Sequence, residues 1–110
     1  MWLVNRVFNQ MKLGILVNSD KHYEDVVGIT RAALSAGHAV MIFVMDEGTR
    51  LLEEATFVQL SEMEELRMSY CNYNAEGLGI SKKLIPNNLI SGSQYENSIM
   101  IHESDKIIVL

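Results

Sequence analysis

The chain has 110 residues, 48% of them hydrophobic, with one proline, seven glycines and a single cysteine. That length fits one domain around one core, and that composition excludes low complexity and intrinsic disorder. Nine basic against fourteen acidic residues give a net charge of −5, which repels a phosphate backbone and argues against direct nucleic-acid binding.

The opening "MWLVNRVFNQM" carries an apolar run of about four residues, short of the roughly seven to fifteen of an export signal. Residues 1–11 read as an N-terminal arm or upstream start, and residues 12–110 as a single domain. "KLGILVN" (12–18) is a nearly continuous apolar run, the pattern of a strand covered on both faces. In "SDKHYEDVVGITRAALSAGHA", Tyr23, Val26, Val27, Thr30, Ala33 and Leu34 recur at helical spacing, with Ser19 or Asp20 as the expected cap and Gly37 as the terminator. "VMIFVM" (40–45) is a second buried strand, stopped by a turn at Asp46, Glu47 and Gly48.

"ATFVQLSEMEEL" predicts a short helix with Phe57 and Leu60 on its inner face, and "RMSYC" a third strand. In "NYNAEGLGI" an asparagine can cap and the glycines can end a short helix that begins between Asn72 and Asn74. After a loop with Pro86 comes a brief fourth strand in "NLISGSQ". "YENSIMIHESD" fits helix or strand on periodicity alone, and "KIIVL" is a fifth strand. This alternation predicts a three-layer α/β/α domain with a mainly parallel five-stranded sheet. No apolar run approaches the roughly twenty residues needed to span a bilayer, so no membrane partner is expected. A lone cysteine cannot form an internal disulfide, which suits a cytoplasmic protein.

In an open parallel sheet, ligands bind beyond the carboxyl ends of the strands. The loops there are "NSDKH", "DEGT", "CNYN" and "SGSQ", which nominate Lys21, His22, Asp46, Arg50, Asn72, Ser91, Ser93 and Gln94 as crevice-lining candidates around Cys71. The cysteine ends a strand and precedes a helix, where unpaired N–H groups and the helix dipole favour the thiolate, the nucleophilic form. The plainer reading is a buried small hydrophobe. There is no Cys-x-x-Cys pair and no evident base, so carriage of a group suits this thiol better than hydrolysis. Three separated histidines with one cysteine make no metal spacing. The first loop lacks the small hydroxyl and glycine residues that cradle a flavin phosphate, so neither metal nor cofactor is expected.

The segments "MKLGILVNSD", "VMIFVMDEGTRLL", "MSYCNYNAEGLGI" and "ISGSQYENSIMIHESDKIIVL" resemble the DsrE family of sulfur-relay proteins over nearly all of residues 11–110. The most specific elements are the cysteine ending the third strand and the "GSQY" turn leading to a final "SDKIIVL" strand. The resemblance implies a helix at "YENSIMIHESD", assembly into homo-oligomers (trimer or hexamer), and a catalytic Cys71 that carries sulfane sulfur as a persulfide between donor and acceptor proteins. The alternative is a non-catalytic oligomeric binding or regulatory module with Cys71 structural.

Overall fold

A computed structural model describes residues 10–110. The expected arm over 1–11 therefore lies mostly outside the described residues. Five strands form one parallel sheet in the order β4-β3-β2-β1-β5. They are β1 (Lys12–Val17), β2 (Ala39–Val44), β3 (Leu66–Cys71), β4 (Leu89–Gly92) and β5 (Lys106–Val109). Between them run α1 (Tyr23–Ser35), a 3-10 segment (Asp46–Glu53), α2 (Ala55–Val58), a second 3-10 turn (Gln59–Glu62), α3 (Asn72–Gly77) and α4 (Gln94–Glu103). The three-layer α/β/α architecture predicted from the sequence is thus the observed one.

The two sheet faces are covered unequally. On the first face, Ile15, Val17, Val40, Ile42, Val44, Met68 and Tyr70 pack against Val26 of α1, Phe57 and Val58 of α2, Leu60 and Ala75 in the main core. On the second face, Phe43 and Cys71 pack against Met100 of α4, with Leu16, Met41 and Met45 beside them. Period-two alternation in the strands makes this division: Tyr70 belongs to the first core and Cys71 to the second. Among the described residues a single helix covers the second face, and Ile90, Ile101, Ile107 and Val109 are exposed.

Local chemistry accounts for the helix ends. Gly37 takes φ +90° after α1, and its N–H donates to Leu34 O while that of His38 donates to Ala33 O, the left-handed termination expected at this glycine. The start of α1 differs from expectation. His22 occupies the cap position without a side-chain bond, because Ser19 Oγ is already engaged by the Lys21 N–H at 3.0 Å. Helix α4 opens with a capping box, in which Ser93 Oγ accepts from Tyr95 N–H and Glu96 Oε1 accepts from Ser93 N–H at 2.6 Å. The periodicity of this segment leaves helix and strand open; its cap selects the helix. No helix among the described residues is long and apolar enough to cross a membrane.

Candidate functional site

The chain leaves β3 and β4 toward opposite faces. Strand β3 runs into α3, whose Ala75 belongs to the first core, and β4 runs into α4, whose Met100 belongs to the second. Adjacent strands whose connections diverge leave a crevice at their carboxyl ends. Cys71 is the last residue of β3 and is in register with Gly92, the last of β4, so the one cysteine stands at that divergence.

Gly92 fits there because it has no side chain. A Cβ at this position would collide with Glu96 Oε1, the carboxylate oxygen that completes the α4 capping box. Cys71 is itself the N-cap of α3: its Sγ accepts from the Asn74 N–H at 3.5 Å. An asparagine cap is the expectation; Asn72 and Asn74 instead lie inside the helix, since β3 extends through Cys71 and leaves the sulfur facing the free N–H of the third helical residue, Asn74. The N-termini of α3 and α4 both open on the crevice, so oriented backbone dipoles supply positive potential.

The crevice is an open depression of about 430 Å³, lined by Met45, Asp46, Cys71, Tyr73, Asn74, Ser93, Gln94 and Tyr95. Cys71 is 4% exposed, whereas Tyr73 and Tyr95 are 85% and 68% exposed. The thiol is therefore at the floor and the two tyrosines at the mouth. Through Asp46, Tyr73 and Asn74 the crevice continues into a wider surface depression bordered by Asn18, Glu47, Glu76 and Leu78.

Of the residues nominated by the sequence, Asp46, Ser93 and Gln94 share this lining with Cys71. Lys21, His22, Arg50, Asn72 and Ser91 do not border it. His22 Nδ1 lies 3.7 Å from Asp25 and Arg50 Nε donates to Glu47 at 3.2 Å. The Asn72 amide oxygen accepts from Lys82 Nζ. Ser91 is in register with Tyr70, one residue out of phase with the thiol. Among the described residues, no lysine, arginine or histidine lines the crevice. Lys82 is engaged nearby, where its hydrogen bond and charge, aided by Asn72, hold the Glu76 carboxyl below its ordinary value of 4.5.

The crevice also takes in residues the sequence does not nominate for it: Met45, which reads as core filler, Tyr73 as an interface residue, Asn74 as a cap or turn former, and Tyr95. Gln94 Nε2 approaches Met45 Sδ at 3.8 Å, closing one side of the crevice. Asn74 Oδ1 accepts from the Asp46 N–H at 3.0 Å, tying the end of β2 to α3. Asp46 has φ +47°, in the left-handed region that costs most L-residues about 1–2 kcal/mol and that aspartate tolerates better than most. The loop is pinned further by Thr49 Oγ1 donating to Asp46 O at 2.7 Å, and by Gly48, where a Cβ would strike Val17 O.

Fold and site together define a small doubly wound α/β domain with a solitary thiol at the divergence of its strand connections. The crystal structure of the YchN protein from E. coli has this fold: it matches at a TM-score of 0.67 over 92% of this chain and 99% of that one, with 13% identity. No protein-family model matches the sequence, and no curated protein does.

Proposed function

We propose that the chain is a DsrE-like cytoplasmic sulfur carrier, in which Cys71 accepts sulfane sulfur as a persulfide and relays it to a partner thiol. The observation that carries this reading is the position of Cys71: a strand-end thiol at the floor of a crevice, opposite a glycine and capped by a backbone N–H. In loading, the Cys71 thiolate attacks the outer sulfur of a donor R–S–SH. A new S–S bond forms, the donor's S–S bond breaks, and R–S⁻ leaves. In unloading, an acceptor thiolate attacks the terminal sulfur of Cys71–S–SH and the Cys71 thiolate is regenerated. Neither step needs an external oxidant, metal or organic cofactor. One thiol per carrier is enough.

Such chemistry asks for little machinery beyond a reachable sulfur, donors that favour its anion, and a surface for the partner. The Asn74 N–H and the N-termini of α3 and α4 support the second requirement, and the exposed Tyr73 and Tyr95 the third. The carrier works as a homo-oligomer, trimer or hexamer; the thinly covered second face of the sheet supports this.

The test is incubation with a low-molecular-weight persulfide followed by intact mass. The wild-type protein is expected to gain one sulfur atom and Cys71→Ser none; no gain, or equal gain on the variant, contradicts the reading. A second reading, a non-catalytic binding module with a structural Cys71, is favoured by the thiol's burial against Phe43 and Met100. Negligible labelling of the native protein by iodoacetamide, with full labelling once unfolded, is its signature.

A further inference from the structure

We propose that Asn74 is the positioning residue for Cys71, holding the sulfur's hydrogen-bond donor and the crevice wall in place through one side chain. This rests on the reading of Cys71 as a nucleophile. Asn74 makes two contacts that point in different directions. Its backbone N–H donates to Cys71 Sγ at 3.5 Å, and its side-chain Oδ1 accepts from the N–H of Asp46 at 3.0 Å, 28 residues away in sequence.

The second contact matters because of what it holds. Among the described residues only Asp46 and Glu65 are non-glycine residues with positive φ. Glu65 lies just before β3, at the end of the sheet remote from Cys71. Asp46 directly follows Met45, and both line the crevice with the thiol. An L-residue in that backbone region relaxes toward extended or right-handed conformations unless something holds it. The Asp46 N–H is held by a side chain on α3 rather than by a neighbouring strand. Cutting that tie leaves the wall on its remaining contacts, Thr49 Oγ1 to Asp46 O and the Met45 N–H to Val17 O, and lets the first turn of α3 shift relative to both the wall and Sγ. At 3.5 Å the bond has an ordinary length for a sulfur acceptor, and such a shift lengthens or misaligns it. Asn74 acts on the reaction through the thiol's donor and the wall, without itself touching the incoming sulfur.

The experiment is a double-mutant cycle between Asn74→Ala and Asp46→Gly, read as the initial rate of Cys71 alkylation by iodoacetamide in the native protein. Asn74→Ala keeps the backbone N–H and removes only the tie to Asp46, and is expected to slow alkylation by about tenfold, the upper end of what one neutral hydrogen bond contributes. In the Asp46→Gly background the same substitution slows it by about threefold or less, because glycine holds positive φ without the tie. Equal rates for wild type and Asn74→Ala, or equal slowing in both backgrounds, overturns the proposal. Hydrogen exchange at the Asp46 amide gives a second readout. Asn74→Asp keeps an acceptor there and is expected to preserve the amide's protection, so loss of protection in this variant also overturns it. Sulfur loading is scored separately: wild type that alkylates in an Asn74-dependent way but takes no sulfur ends the relay reading alone, and sulfur loading indifferent to Asn74 ends this proposal alone.

Discussion

Cys71 and Gly92 are strand neighbours at the carboxyl ends of β3 and β4, and the chain leaves the two residues toward opposite faces of the sheet. The missing side chain at Gly92 lets Glu96 reach the Ser93 N–H. Gly92→Ala brings a methyl group against the Glu96 carboxylate. That carboxylate is the far end of a flexible side chain and can swing away, so the penalty is the capping box, about 1 kcal/mol. Thermal unfolding of the variant is expected to show a modestly lowered midpoint, and an unchanged midpoint contradicts the assigned role.

Gly48 and Gly28 form a contrasting pair. A Cβ on Gly48 meets the backbone carbonyl of Val17, which cannot step aside, while one on Gly28, exposed in α1, meets nothing within 4 Å. Gly48→Ala is expected to destabilise by more than about 2 kcal/mol. Gly28→Ala is expected to stabilise by roughly 0.5–1 kcal/mol through helix propensity and a less entropic unfolded chain. Urea titration of the two variants checks both signs.

The Glu76 carboxyl titrates below 4.5 because Lys82 donates a hydrogen bond and contributes its charge, and Asn72 adds a further bond. A folded value lowered in this way contributes stability that is present above the unfolded value and is lost as pH falls through the folded one. With the group exposed, the contribution is small. Lys82→Ala is expected to return the Glu76 midpoint toward 4.5 in an NMR titration; an unmoved midpoint removes the Lys82 contact from the account.

Ile107 and Val109 of β5 lie on the sheet face that α4 covers incompletely, where both are exposed. If copies of the chain assemble there, sedimentation at micromolar concentration gives a multiple of the 12.4 kDa chain mass. Val109→Glu then shifts the population toward the monomer, since burying an unpaired carboxylate in an apolar contact is costly. A wild-type monomer at that concentration contradicts the assembly.

Much of the fold was legible because its strands are short apolar runs bounded by polar or glycine residues, and buried parallel strands leave that signature. The third strand's end at Cys71 was readable for the same reason. The segment from Asp46 to Glu62 was not: it reads as a turn and one helix, yet folds as 3-10, α and 3-10 pieces. The close approach of Gly48 to Val17 and the burial of Leu51 and Leu52 decide its path, and these are tertiary contacts absent from local periodicity. The cap of α3 was misplaced because propensity favours asparagine over cysteine, while the sheet decides where the strand stops. The crevice wall was partly missed because the Asn74 to Asp46 bond spans 28 residues. Its only local trace was an asparagine three residues after the cysteine.

The central claim is that sulfur passes through Cys71. Its most direct test uses isotope-labelled sulfane sulfur: load the protein from a labelled persulfide, remove the donor, add an acceptor thiol, and follow the intact mass of both. The account predicts one labelled sulfur gained by the wild type, none by Cys71→Ser, and quantitative transfer of the label to the acceptor. A wild-type protein that gains no label, or that holds it without passing it on, contradicts the account.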